Sequence, residues 1–376
     1  MPTKKTESNH RRAFTPNKRL FFLISGLVLI GIALTIGFVL IQNWEEAKSA
    51  SIVAGKYGSS NADEPDLVYE GVGYNLKDNI ETTLIMGIDK FEDTGEKDEK
   101  VSRNPSQCDF LTLLVTDKTT GNSRMIQLNR DTMVDVDVLG FFNDVISTDK
   151  MQLALAHSYG SGDRDSARNA MRSVSRLFSN VPIDHFVALT MDAVANLNDA
   201  IGGVPVLVEE DFSKVDPSLV MGETITLKGD QSLHYVRGRT GVDNGTNEER
   251  MARQQKYMNS FYKTLAKAMD EGKVSMTKLL TDVSPYMTSD LSVNGLNDVL
   301  TTAMEHSQPN IEVLQGTAKM GAKYVEFYPD QDALMEETIS LFFEPAPSSP
   351  QPGQSPNSPD IQAINNPDSQ NTENNK

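Results

Sequence analysis

The 376-residue chain has one cysteine, Cys108, and five histidines. A single thiol closes no internal disulfide and builds no cysteine cage for zinc. The histidines are scattered, and none shows the HExxH spacing that sets two ligands on one helical face. Positive charge is scarce as well. Lys and Arg number 35 against 52 Asp and Glu, for a formal net charge of −17. That balance argues against a nucleic-acid surface, which is normally basic. No internal repeat recurs along the chain.

Long apolar runs are also few, which makes one of them informative. Leu20 to Ile41, "LFFLISGLVLIGIALTIGFVLI", is 22 residues without a charge, long enough to cross a bilayer as one helix. A cleaved signal has a shorter apolar core and a small-residue cleavage site close behind it. Here the run is long, and "QNWEEAKSA" is a poor site. The segment therefore reads as an uncleaved anchor. Lys4, Lys5, Arg11, Arg12, Lys18 and Arg19 precede it against one acid, Glu7. Positive flanks stay in the cytoplasm, so the rest of the chain should lie outside, with Trp44 at the outer interface. The basic tail leaves about −22 on the remainder.

Beyond a stalk at 42–80, the pattern becomes that of a folded domain. "TTLIMGID" (Thr82 to Asp89) and "FLTLLVTD" (Phe110 to Asp117) read as largely buried strands. "RMIQLNR" (Arg124 to Arg130) pairs back across a "KTTGN" turn. Ala167, Met171, Val174 and Phe178 have helical spacing. "DHFVALT" is a strand, and "MDAVANLNDAI" a helix closed by Gly202 and Gly203. Strands alternating with helices imply an α/β or α+β sandwich. A later helix takes Asn247 as its cap and Glu248 and Glu249 at its positive end. It buries Met251, Met258, Phe261, Leu265 and Met269 on one face. Residues 273–345 form a C-terminal part packed on or continuing the domain of 81–272. From 346 to 376 the chain is Pro, Ser, Asn, Gln and Asp without an aromatic residue, and reads as disordered.

Against the acidic background, charges gather in a few places. Asp89 ends the first buried strand and Asp109 opens the second. Arg130 and Asp131 end the third. Arg237, Arg239, Arg250 and Arg253 crowd one short stretch. Two carboxylates can hold Mg²⁺ when phosphate oxygens and water complete the shell. Arginines can grip the same phosphates with forked hydrogen bonds, and a helix opening adds free N–H groups. Plainer readings stand beside this one. Aspartates at strand ends serve turns and caps. Arginines early in a helix pair with acids such as Glu248 and Glu249. Asp131 next to Arg130 is a structural ion pair or a base.

Six segments in order resemble the LytR-CpsA-Psr family of cell-envelope proteins: "LIMGID", "CDFLTLLVTDKTTGNSRMIQLNRDT", "DKMQLALAHSYG", "DHFVALTMDAVANLNDAIGGVPVLV", "LKGDQSLHYVRGR" and "ERMARQQ". They span about 82 to 260. The resemblance implies an αβα sandwich with a central mixed sheet, an apolar lipid-binding tunnel and one preceding transmembrane helix. It places Asp89 and Asp109 at Mg²⁺. It places Lys90, Arg130, Arg237, Arg239, Arg250, Arg253 and Gln254 at a pyrophosphate, with Arg130, Asp131 and Arg250 in the chemistry. Lys90, Gln107 and Asn247 depart from the family pattern, and Arg103 is a candidate substitute for the arginine missing at 107.

The implied activity is transfer of a glycopolymer from a polyprenyl-pyrophosphate carrier to peptidoglycan at the outer face of a cell membrane. The implied partners are the lipid-linked donor, the peptidoglycan acceptor and membrane lipid, with no nucleic acid. Two rivals are a non-catalytic envelope-binding or regulatory homologue and a polyprenyl-pyrophosphate hydrolase.

Overall fold

The computed structural model describes residues 65–90, 100–306 and 311–347. These belong to one compact unit. The expected basic tail, the apolar run at 20–41 and most of the C-terminal tail lie outside the described residues. No described helix is long and apolar enough to cross a membrane.

Six strands build the central sheet: β1 (Ile80–Lys90), β2 (Ser106–Asp117), β3 (Ser123–Gln127), β4 (His185–Thr190), β5 (Met287–Ser289) and β6 (Ile311–Val313). Their order is β5-β4-β1-β2-β3-β6. The sheet is mixed. β1 runs parallel to β4, and β3 parallel to β6, while the other neighbours are antiparallel. Side chains alternate across a strand, so a continuous apolar run means burial on both faces. Leu84, Met86 and Ile88 of β1, Leu111 and Leu113 of β2, and Phe186 and Ala188 of β4 share one core. Val187 and Leu189 join a second core, and Ile85 and Leu114 a third, on the other face.

Among the described residues seven helices pack around the sheet: α1 (Asp163–Leu177), α2 (Asp192–Ala200), α3 (Asp230–Arg237), α4 (Asn247–Asp270), α5 (Met276–Val283), α6 (Val293–His306) and α7 (Gln331–Phe342). α1 and α7 bury Ala167, Ala170, Val174, Leu334 and Leu341 in the first core. A hairpin of Met133–Leu139 and Val145–Gln152 flanks α1. There Arg172 and Arg176 hold Asp137, which is 1% exposed. α4, α5 and α6 bury Phe261, Leu265, Met276, Leu279, Leu280 and Leu296 opposite.

Three expectations shift. The stalk ends early, because Leu67–Tyr69 and Val72–Leu76 form a hairpin that pairs with Phe343–Pro345. Its alternating Leu67, Tyr69, Val72 and Leu76 pack on the first core, and its turn uses Glu70 and Gly71 at positive φ. The cap of α4 is Thr246, whose hydroxyl accepts from Glu249 N–H at 3.2 Å while Glu249 bonds back to Thr246 N–H. That reciprocal pair satisfies two free donors at the helix start and leaves Asn247 to turn inward. The residues after 272 supply both edge strands, β5 and β6. The chain also stays ordered past 345, since Ala346 is buried and donates to Gly73 O.

Candidate active site

The site begins with an irregularity in β2. Gly87 pairs with Phe110 and Ile88 with Cys108, so Asp109 is an extra residue in a β-bulge. A bulge re-aims the side chain it carries. Cys108 remains in the first core, where burial pushes its thiol upward. Asp109 instead lines a cleft on the opposite face. Its carboxylate accepts from Arg130 and, at 3.3 Å, from Arg250.

Arg130 follows the end of β3. It also donates to Gln107 Oε1 at 2.9 Å, and its Nε lies 3.6 Å from the Asp131 carboxylate. Arg250, in the first turn of α4, is 2% exposed and donates to Asn247 Oδ1 at 2.7 Å. Burial drives Arg250 down to about 10; Asp109 opposes the shift, and the Arg130 and Arg239 cations reinforce it. The Nε atoms of Arg130 and Arg250 are buried without a hydrogen-bond partner.

Asp89, at the end of β1, pairs with Arg237 at the end of α3. Arg239 forms no ion pair among the described residues, and its charge reaches both Asp131 and Arg250. Asp131 is 5% exposed and accepts from Gln152 Nε2 at 3.0 Å. Burial raises its carboxyl above the usual range, while Arg130, Arg239 and Arg250 draw it back. Four guanidinium groups thus meet three carboxylates at one rim.

The other expected ligands have protein partners of their own. Lys90 pairs with Asp163 at 3.2 Å. Arg103 lies over the Tyr159 ring, 5.3 Å from its centroid, and does not replace the arginine missing at 107. Arg253 turns to Glu210 and to the carbonyls of Tyr235 and Gly238. Gln254 accepts from Gln127 Nε2 at 3.1 Å and donates to Val236 O at 3.2 Å, at the cleft wall.

Behind this rim the surface turns apolar. One cleft of about 850 Å³, open solvent at its mouth included, is lined by Asp109, Arg237, Arg250 and Gln254 at its polar end and by Phe110, Val194 and Tyr257 among its carbon walls. A second, of about 890 Å³, lies between the sheet and α4, α5 and α6. The two share Ile85, Leu189, Leu197, Met258 and Phe261. Gly87 lines the first cleft at the bulge, and a Cβ there would lie 3.0 Å from Phe110 Cβ.

The donor set bears on the implied Mg²⁺. Among the described residues no three His, Cys, Asp or Glu side chains gather as ligands. Asp89 and Asp109 are two hard oxygen donors on adjacent strands, each in contact with a guanidinium. Such a pair fits a cation shared with phosphate oxygens, and does not fit one held by protein alone.

Several contributors carried little signal in the sequence. Gln107 and Asn247 stand at the positions of departure, yet each holds an arginine of the site. Asn129 accepts from Asn247 Nδ2 at 2.8 Å and from Asp131 N–H at 2.9 Å, and so ties α4 to the "NRD" turn. Gln152 lies inside "DKMQLALAHSYG", where only its distance from Asp131 in space reveals its part.

Comparison with known proteins adds to this geometry. The LytR_cpsA_psr family matches residues 47–339. A polyisoprenyl-teichoic acid--peptidoglycan teichoic acid transferase TagU from Enterococcus faecalis is 27% identical over 313 residues, covering 81% of this chain and 89% of that one. The TagU of Halalkalibacterium halodurans is 27% identical over 236 residues, covering 63% and 69%. The crystal structure of Bacillus subtilis TagV superposes with a TM-score of 0.53 at 21% identity, over 70% of this chain and 96% of that one, a likeness of fold.

Proposed function

The chain belongs to the LytR_cpsA_psr family, and on that premise we propose that it transfers a glycopolymer from a polyprenyl-pyrophosphate carrier to peptidoglycan. One observation carries the reading: two arginines of the four-arginine rim, Arg237 and Arg250, line the polar end of an apolar cleft that shares a wall with a second one. A diphosphate on a long hydrocarbon needs both halves. The TagU relatives act, by name, on polyisoprenyl-linked teichoic acid and peptidoglycan. In this reading the layers form an αβα sandwich, and the paired clefts are its lipid tunnel.

Arg130, Arg237, Arg239 and Arg250 would bind the pyrophosphate, exchanging their carboxylate partners for phosphate oxygens. Forked donors suit that exchange. The acceptor hydroxyl on a muramic-acid sugar attacks the phosphorus bearing the glycopolymer. A new P–O bond forms, the bridging P–O bond breaks, and polyprenyl phosphate leaves. Asp131, held by Gln152, takes the hydroxyl proton. The guanidinium groups stabilise charge growing on the phosphate oxygens. Asp89 and Asp109 would hold Mg²⁺, which supplies further neutralisation of that charge when bound. No nucleotide is needed, since the diphosphate bond stores the driving force. The proposed setting is a single-pass anchor at 20–41, with the N-terminus in the cytoplasm and the domain outside.

The test is turnover of a short lipid-pyrophosphate-linked glycan by purified protein, with and without a peptidoglycan oligomer. Acceptor-dependent product supports transfer. Release of free glycan phosphate without acceptor would make the protein a hydrolase. Binding without turnover in either case would make it a non-catalytic homologue.

A further inference from the structure

Arg253 stands three residues after Arg250 on α4, yet its side chain faces a different neighbourhood. It is 3% exposed. Its Nε donates to Tyr235 O at 2.5 Å, and its two terminal nitrogens donate to Glu210 and to Gly238 O. Its Cζ lies 5.2 Å from the Phe212 ring centroid and 6.0 Å from that of Tyr235, two rings stacked 5.7 Å apart. Every nitrogen of this guanidinium is engaged by protein.

The location of those acceptors matters more than their number. Tyr235 and Gly238 flank Arg237, in the last turn of α3 and the bend after it. A helix end leaves its final carbonyls without N–H partners and carries partial negative charge. A buried cation there satisfies both. Gln254 takes the intervening carbonyl, Val236 O. The bend itself is tight, since a Cβ on Gly238 would lie 2.9 Å from His234 O and 3.2 Å from the Phe212 ring. Arg237 and Arg239 project from either side of this clamped glycine.

We propose that Arg253 is a positioning residue. It fixes the Arg237–Gly238–Arg239 bend so that the two flanking arginines meet the pyrophosphate, and it does not touch the phosphates itself. This reading rests on the pyrophosphate function above and changes the role the resemblance gave Arg253. Lysine at 253 keeps the charge but cannot serve three acceptors in a plane.

Two measurements test it on the purified protein. The first is amide hydrogen exchange across residues 235–242 without ligand. Arg253→Lys, and independently Glu210→Gln, should speed exchange there while the sheet strands stay protected. The second is titration of inorganic pyrophosphate into Arg253→Lys, Arg239→Ala and the double variant. Arg253→Lys should weaken binding about tenfold alone and much less in the Arg239→Ala background, because a displaced arginine is worth little more than a missing one. Unchanged exchange at 235–242 would overturn the proposal, as would full additivity of the two substitutions, the mark of an independent ligand. Glu210→Gln keeps the arginine and serves if Arg253→Lys fails to fold. A parent protein that binds no pyrophosphate would sink the functional reading, and the exchange arm would still decide whether Arg253 fixes the bend.

Discussion

Arg250→Met should give a protein that is at least as stable as its parent and inactive. Arg250 is almost fully buried, and its surroundings push it from 12.5 to about 10. A shift of that size corresponds to about 3 kcal/mol against keeping the charge in the folded state. The sign follows from the proton balance. A base with a depressed folded value binds its proton better when unfolded, so the penalty is complete below about 10 and relieved only as pH rises past it. At neutral pH all of it is present. Methionine fills similar volume without charge. Its cost is the loss of a partner for Asn247 Oδ1, which now accepts at 2.7 Å; an unmet buried acceptor costs about 1–3 kcal/mol. The net is a gain of about 0–2 kcal/mol, or up to roughly 4–8 °C in melting temperature for a domain of this size. The assay is thermal melting in chelator, with and without inorganic pyrophosphate. The parent should gain about 2.7 kcal/mol at a hundredfold excess of ligand over its dissociation constant, and the variant little. A variant melting below the parent without ligand would refute the reasoning, because Arg250 would then support the fold and not strain it.

Three further outcomes follow from the same geometry. Burial raises Asp131, so the acid limb of kcat/KM should lie above the ordinary carboxylate value of about 3.9 and vanish in Asp131→Asn. The stability that protonated Asp131 contributes is present at low pH and is lost as pH rises through its folded value, and melting across that range checks it. Gly87→Ala places a methyl against Phe110 and costs about 1–3 kcal/mol by overpacking. It should weaken a lipid-linked pyrophosphate more than inorganic pyrophosphate, and equal losses in the two titrations would remove the first cleft from the lipid path. Protease added to intact cells should destroy the domain at 65–347 and spare an epitope placed within residues 1–19, and a protected domain would overturn the proposed topology.

The strands were legible because apolar runs such as "LIMGI" and "FLTLLV" have few other uses in a chain this charged. The site was legible mainly as a list of charges. Sequence spacing put Arg250 and Arg253 side by side at a helix opening, one helical step apart. Their difference comes from what packs against each: Asp109 and Asn247 for one, the α3 end for the other. Nothing in "ERMARQQ" encodes those partners. Likewise "QCDF" gives no sign of a bulge, since the extra residue appears only when β2 is registered against β1. Thr246 displaced Asn247 as cap because the reciprocal pairing with Glu249 outweighs the generic preference for asparagine. Residues 67–76 alternate as a strand should, but in so short a run that the pattern shows only once the 343–345 segment is seen to pair with it.

The edge strands contributed by the late part of the chain set an order of events. β6 pairs with β3 through Ile311 and Met125, and β5 with β4 through Ser289 and Val187. Leu279, Leu280, Val283 and Leu300, which wall the second cleft, also come after residue 272. A chain emerging N-terminus first therefore completes the arginine rim and α4 well before the cleft has its far wall. Until then the apolar side of β1 and β3 is bare, with the outer edges of β3 and β4 both unpaired, the condition in which chains aggregate. Pairings so distant in sequence also form slowly. The half-made domain is thus at its most adhesive when its arginine rim is in place and the apolar cleft behind it still lacks its far wall.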